Sequence, residues 1–186
     1  MRSRFFIDPK FIASGRKKVG YLWVFWHRLG DSESRYCAPV VTALLLANLV
    51  ASCVMVGVIW FVQHVHYPLL AQVQMGQAVA VAEEHQRRTG HVVALPMAVE
   101  GLTTLALLAQ TPAGVTWYLP WIGAILLAVA LGCTVFLSVP LHAKMATNPD
   151  AQVGKKLVAT NWPRTIAWSL RAVVCVVMLA QMVNSR

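Results

Sequence analysis

The stretch that decides the fold is residues 39–63, PVVTALLLANLVASCVMVGVIWFVQ, which holds no charged residue over 25 positions. An α-helix needs about 20 predominantly apolar residues to cross the ~30 Å hydrocarbon core of a bilayer. This stretch exceeds that length, so it predicts a transmembrane helix.

Three further apolar stretches follow it, and each is long enough to cross a bilayer. They cover approximately residues 91–110, 117–140 and 161–183. Only three charged residues interrupt them: Glu100, Arg164 and Arg171. The pattern predicts an all-α fold, an integral membrane four-helix bundle of residues 39–186, preceded by an N-terminal interfacial arm of residues 1–38.

The composition agrees with a membrane protein, because 58% of the residues are hydrophobic and only 12% are charged. Soluble domains carry about 25% charged residues. The net charge of +9 does not point to nucleic acid, which needs a basic face on a folded module. Eight of the Lys and Arg residues lie instead in the arm. Membrane lipids are therefore the expected partner of the basic residues, and nucleic acid is not.

The arm mixes these basic residues with aromatic ones. Its most apolar run, residues 19–26, is too short to span a bilayer. Aromatic rings beside Lys and Arg suit the lipid headgroup layer, and a segment that cannot fold alone needs a surface to lie on. The residues predicted to contact lipid or a protein partner are Arg16, Lys17, Lys18, Trp23 and Trp26.

The distribution of Lys and Arg outside the spans predicts the orientation in the membrane. The side that holds both termini has nine, and the side that holds the connections 64–90 and 141–160 has five. Because the side richer in Lys and Arg stays in the cytoplasm, both termini are expected inside and both long connections outside.

The polar residues of the predicted bundle collect at its outer end. The candidate site residues are His66, His85, Glu100, His142, Asn161, Arg164 and Arg171. Glu100 and Arg171 lie deepest, roughly 13–15 Å below the outer boundary at 1.5 Å per residue. An unpaired charge at that depth costs about 2.5–3.5 kcal/mol, so the two are predicted to face each other. Such a pair either fixes the helix register or serves a ligand or a proton.

Three histidines, His66, His85 and His142, come from different segments and are candidate metal ligands, with Glu84 or Glu100 as a fourth. Imidazole and carboxylate groups suit zinc, copper or iron. No ligand spacing such as HExxH is present, so the cofactor stays open. Haem is not expected, because His66 and His142 stand at helix ends and not within facing helices.

Several polar motifs together resemble those of a family of small bacterial membrane proteins with four helices. They are Val65-His66-Tyr67-Pro68, Glu84-His85-Gln86-Arg87-Arg88, Pro96-Met97 with Glu100, Pro140-Leu141-His142, and Asn161-Trp162 with Arg164-Thr165 and Trp168. The chain is more distantly similar to the anthrone oxygenase-like membrane proteins. The resemblance covers roughly residues 40–183 and leaves out the arm. It implies the bundle and a shared polar site. The predicted location is the bacterial inner membrane.

Three functions are compatible with these features. The first is a binding or scaffold protein, a small non-catalytic subunit of a larger membrane complex, as the arm suggests. The second is a membrane enzyme or redox protein, anthrone oxygenase-like, in which His66 or His85 acts as general acid–base on an apolar substrate. In it, Arg164 or Arg171 would hold an anion. The third is a proton-coupled transporter, for which four helices are few.

Overall fold

The computed structural model of the chain describes residues 39–70, 72, 75–147 and 150–185. Nearly all of these residues belong to four helices, named α1 (Pro39–Leu70), α2 (Met75–Ala109), α3 (Tyr118–Thr147) and α4 (Ala151–Asn184). The described part of the chain contains no strand, and all four helices are long and apolar enough to cross a membrane. The predicted all-α four-helix bundle is confirmed, and it fits a protein that crosses the bilayer four times.

The arm of residues 1–38 lies outside the described residues. The contacts predicted for it, by Arg16, Lys17, Lys18, Trp23 and Trp26, stay predictions for the same reason.

The helices are longer than the apolar stretches that predicted them. They have 30 to 35 residues, or about 45–52 Å at 1.5 Å per residue, which exceeds the hydrocarbon core. The connections predicted over 64–90 and 141–160 are mostly helix, since α1 continues to Leu70, α2 begins at Met75, α3 continues to Thr147 and α4 begins at Ala151. Most of the connection 64–90 is the first part of α2. Hydropathy predicts only the part of a helix that suits the hydrocarbon core. A helix can extend beyond that part with polar residues, and its full length is then underestimated.

The two ends of the bundle differ in how their connections are held. At the end where α1 stops and α4 starts, here called the mouth, the carboxylate of Asp150 accepts the backbone N–H of Gln152 at 2.9 Å and caps α4. At the opposite end, the side-chain oxygen of Gln181 accepts the backbone N–H of Thr116 at 2.9 Å. The start of α1 and the end of α4 therefore meet at the end away from the mouth, where the Thr42 hydroxyl lies 3.9 Å from the Met182 sulfur.

The apolar core runs along the bundle in layers. Buried side chains include Leu45 and Met178 away from the mouth, Trp168 in the middle and Leu157 near the mouth. The outer faces are apolar as well, and Phe136 is 77% exposed. Soluble proteins rarely expose continuous apolar surface, so these faces suit contact with lipid chains.

Candidate functional site

The predicted partnership of Glu100 and Arg171 is present in the middle of the bundle. The Arg171 Nε donates to Glu100 Oε1 at 3.0 Å, and both side chains are almost fully buried, 1% and 0% exposed. Ser52 donates its hydroxyl to the same oxygen at 2.6 Å, and the Trp168 indole N–H donates to Oε2 at 3.0 Å. Both oxygens of the carboxylate are therefore hydrogen-bonded to residues of the bundle.

The rest of the Arg171 guanidinium is also bonded to the bundle. Its Nη1 donates to the backbone carbonyl of Gly123. Its Nη2 donates to Thr104 Oγ1 at 2.6 Å and to Asn48 Oδ1 at 3.2 Å. We call these residues, with Glu100, Ser52 and Trp168, the inner network. Because the protein's own groups fill it, the geometry favours a role in helix register over a ligand site.

Near the mouth, the three predicted histidines come together and a tyrosine joins them. The rings of His66 and His85 stack with centroids 4.2 Å apart, and the His85 and His142 centroids are 5.0 Å apart. The Tyr67 hydroxyl and His142 Nε2 form a hydrogen bond of 2.9 Å. We call these four residues the mouth cluster. The His66 Nε2 and His142 Nδ1 atoms are buried and have no hydrogen-bond partner among the described residues.

The arrangement of the mouth cluster bears on the predicted metal site. Within the described ranges, no group of three or more His, Cys, Asp or Glu side chains is placed to hold a metal ion. Stacked rings direct their in-plane nitrogen lone pairs along nearly parallel planes, whereas a shared metal needs them to converge. Glu84, the predicted fourth ligand, instead pairs with Arg87 at 2.7 Å and Arg88 at 2.5 Å. A metal at these residues stays a prediction, without geometric support in this arrangement.

Asn161 and Arg164 lie between the mouth cluster and the inner network. Asn161 donates its amide to Gln63 Oε1 at 2.8 Å. Arg164 donates through Nη1 to Ser138 Oγ at 2.9 Å and to Asn161 Oδ1 at 3.1 Å. Its Nε is buried without a partner among the described residues. The guanidinium carbon lies 5.5 Å from the Trp168 ring centroid, a cation–π contact that leads on to Glu100.

A cavity of about 210 Å³ opens beside Arg164 and the mouth cluster. At its polar end, the walls include Tyr67, His85, Ser138, His142 and Arg164. Farther from the mouth along α1 and α2, its walls are mainly apolar side chains of one core cluster, namely Met55, Ile59, Val93 and Met97. The cavity thus has one end suited to a polar group and another suited to hydrocarbon.

The cavity walls include parts of two π-helical turns, which add a residue to the helix and change the direction of the side chains after it. One covers Val62–His66 in α1, and the other covers Thr134–Ser138 in α3. A proline follows each turn by two residues, Pro68 and Pro140. Proline lacks an N–H and its ring clashes with the carbonyl four residues earlier, and a widened turn before it is one way to relieve that clash. Pro96 and Pro163 lie within α2 and α4 without such a turn. These turns orient His66, Ser138 and His142.

A second groove of about 360 Å³ adjoins the cavity between α1 and α2. The two share walls at Val62, His85 and Thr89. On its outer side the groove is bordered by Phe61, 58% exposed, and Val92, 59% exposed. The groove therefore lies between the outer surface of the bundle and the cavity, next to the stacked rings of His66 and His85.

Several contributors were not among the predicted site residues: Tyr67 and Ser138 at the cavity, and Trp168, Ser52, Asn48, Thr104 and Gly123 in the inner network. Tyr67 and Trp168 do occur in the motifs that carry the family resemblance. Ser138 lies two residues before Pro140, and the proline-linked π turn is the signal that could have identified it.

No family model, curated protein sequence or solved structure matches this chain. The resemblance to small bacterial four-helix proteins and to anthrone oxygenase-like proteins stays a prediction.

Proposed function

We propose that this chain is a non-catalytic membrane binding protein that holds an amphipathic molecule taken from the lipid phase. The observation that carries the proposal is the cavity of about 210 Å³ with one polar and one apolar end. Binding pockets typically combine an apolar lining with a few polar groups that fix the orientation of the ligand. The polar end of the ligand would lie among Tyr67, His85, His142 and Arg164.

The unpartnered polar atoms at the cavity support this proposal. Buried polar groups without partners are rare in folded proteins, and each costs about 1–3 kcal/mol. Such atoms occur at Arg164 Nε and at His142 Nδ1, and both residues line the cavity. The inner network, by contrast, is occupied by the protein's own groups. A bound molecule with hydrogen-bonding atoms would provide partners for Arg164 Nε and His142 Nδ1. It would make no contact with the inner network.

The proposed location is the bacterial inner membrane, with both termini in the cytoplasm and the mouth toward the outer leaflet. The larger number of Lys and Arg residues on the side of the termini supports this orientation. The ligand would then enter from the outer half of the bilayer, through the groove between α1 and α2.

The proposal includes assembly with other membrane subunits through the arm and the outer helix faces. The argument for it is the basic, aromatic composition of residues 1–38. Extraction in a mild detergent and size measurement tests this part, with a species larger than the monomer expected. A protein of monomer size would count against it, while the binding function would still stand.

The test of the binding function fills the cavity at Gly90. This residue lines the cavity, and a Cβ built on it meets no other atom within 4 Å. Gly90→Leu should therefore place a side chain in the cavity without breaking the fold, and the loss of a helical glycine should stabilise α2 by about 1 kcal/mol. The matched control is Gly101→Leu, on the same helix with equally open space but outside the cavity.

The readout is the set of small molecules that co-purify with the protein in nanodiscs, identified by mass spectrometry. The wild type and Gly101→Leu should carry the same amphipathic species, and Gly90→Leu should lose it. Equal retention by all three proteins would place the binding elsewhere. A wild type that carries no such molecule and takes up none when offered would end the proposal.

A membrane enzyme is the second candidate, and the Tyr67–His142 hydrogen bond at the cavity wall favours it. A tyrosine and a histidine in contact can exchange a proton with a substrate held beside them. Metal analysis and an optical spectrum of the purified protein test the redox version. Turnover of the co-purified molecule that His142→Ala abolishes would favour the enzyme over the binding protein. No described contact favours the transporter, since the charges it would use are engaged in the inner network.

A further inference from the structure

We infer that the molecule held in the cavity is a single-chain anionic amphiphile, whose carboxylate or phosphate is recognised by Arg164. The inference rests on the proposed binding function and specifies its ligand. It starts from a difference between the two intramembrane arginines. Arg171 has a carboxylate partner in Glu100 at 3.0 Å, whereas Arg164 has none among the described residues.

The partners of Arg164 leave its charge uncompensated. In the part of the chain that the structure describes, the ion pairs are Glu84 with Arg87 and Arg88, and Glu100 with Arg171. The contacts of Arg164 there are all with neutral groups: its Nη1 donates to the Ser138 hydroxyl and the Asn161 amide oxygen. Its guanidinium also lies within hydrogen-bonding reach of the Tyr67 hydroxyl and over the Trp168 ring. A guanidinium has five N–H donors and stays charged at any ordinary pH. An unpaired cation inside an apolar bundle is costly, so an anion in the cavity would stabilise it.

The charges on the cavity walls also favour an anionic ligand. Among the described residues that line the cavity none is acidic, and Arg164 is the only permanently charged one. Hydrogen bonds to an ionised partner are about twice as strong as neutral ones, and guanidinium groups match carboxylate and phosphate oxygens in geometry. The Tyr67 hydroxyl and the histidine rings beside it add neutral hydrogen-bonding groups. A cationic headgroup would face Arg164 without any compensating carboxylate.

The apolar end decides between an amphiphile and a free anion. Met55, Ile59, Val93 and Met97 border the cavity farther from the mouth. A free inorganic anion would leave these side chains in contact with empty space or water, whereas a hydrocarbon chain would cover them. The adjoining groove between α1 and α2 lets the remainder of the chain reach the lipid. A single chain with a compact acidic head suits this shape.

The experiment compares matched probes on the full chain in nanodiscs, by titration at mildly alkaline pH. The probes are dodecanoate, dodecyl phosphate, dodecanol, dodecylamine and inorganic phosphate. The anionic amphiphiles should bind about 10- to 100-fold more tightly than dodecanol, as expected when a charge-assisted hydrogen bond is gained. Dodecylamine and inorganic phosphate should bind weakly.

Two variants and one control locate the effect. Arg164→Gln should remove the preference for the anion, and Arg164→Lys, which keeps the charge, should retain part of it. Lys155→Gln removes a positive charge from an exposed position on α4 and should change nothing. If Arg164→Gln does not fold, the comparison of probes on the wild type and on Arg164→Lys still decides.

The outcomes separate the two proposals. Dodecanol binding as tightly as dodecanoate, or a preference unchanged in Arg164→Gln, would overturn the anionic ligand and leave the binding function intact. Inorganic phosphate binding as tightly as dodecyl phosphate would overturn the amphiphile in favour of a free anion. No binding of any amphiphile to the wild type would refute the binding function, and the inference with it.

Discussion

Two arginines on the same helix, Arg164 and Arg171, are seven residues apart and have opposite surroundings. Arg171 donates to a carboxylate, a backbone carbonyl and two side-chain oxygens. Arg164 contacts neutral groups: the oxygens of Ser138 and Asn161, the Tyr67 hydroxyl and the Trp168 ring. Two helical turns, about 10 Å, therefore separate a structural charge from one that is available to a ligand. The neighbouring helices cause the difference, since they place the Glu100 carboxylate beside Arg171 but only neutral groups beside Arg164.

The first prediction at the residue scale concerns the inner network. Glu100→Gln or Arg171→Met leaves a buried charge without its partner, which costs about 3–5 kcal/mol. The double variant should lose less than the sum of the two, because the unpaired charge disappears with its partner. Thermal unfolding of the four proteins in one detergent measures the cycle.

The control for this cycle is Glu84→Gln, on the same helix as Glu100. Glu84 pairs with Arg87 and Arg88 at the exposed surface, where ion pairs contribute little. Its unfolding temperature should stay close to that of the wild type. If Glu100→Gln behaved like Glu84→Gln, the inner network would not stabilise the bundle.

At the scale of the elements, the turn between α2 and α3 depends on a single glycine. Gly114 has φ of +79°, and a Cβ built there would lie 2.0 Å from the Ser185 hydroxyl oxygen and 2.3 Å from its Cβ. Both the backbone conformation and the close approach of the end of α4 exclude a side chain. The turn therefore determines how tightly α3 and α4 meet at this end.

Gly114→Ala should consequently destabilise the protein by about 1–3 kcal/mol, the usual cost of a left-handed non-glycine residue. Adding Ser185→Gly should restore the stability lost through the collision with Ser185. The loss caused by the positive φ at residue 114 should remain. Gly132→Ala is the control, because a Cβ there meets nothing within 4 Å. Equal unfolding temperatures for the two alanine variants would contradict this account of the turn.

At the scale of the whole molecule, the antiparallel order of the helices puts the connections at 71–74 and 148–150 on one side of the membrane. The connection at 110–117 lies on the other. Single cysteines at Gln72, Asp150 and Ala113, each in a chain whose four native cysteines are replaced by alanine, test the proposed orientation with a membrane-impermeant thiol reagent on intact cells. Gln72→Cys and Asp150→Cys should react, and Ala113→Cys should react only after the membrane is opened.

The reverse labelling pattern would mean that the proposed orientation is wrong and that the mouth faces the cytoplasm. Reaction of Gln72→Cys and Asp150→Cys from opposite sides would contradict the antiparallel bundle itself.

The sequence predicted more of the fold than of the site. Helix number and order followed from four apolar stretches, and the partnership of Glu100 with Arg171 followed from their equal depth. The involvement of Tyr67 and Ser138 did not follow. Their positions depend on π turns, which shift the side chains of one helix face relative to the ordinary helical period. The helix ends were also missed, because a polar helical extension has no hydropathy signal.

By itself, the sequence determined that this chain forms four membrane-length helices and collects its polar groups toward one end. The physical reason is that a bilayer forces every backbone group to be satisfied within the segment that crosses it. Only the tertiary structure decided which charge is paired and which faces a cavity, and how the three histidine rings are arranged against one another. Those outcomes depend on the rotation of each helix against its neighbours, which side-chain packing sets and hydropathy does not record.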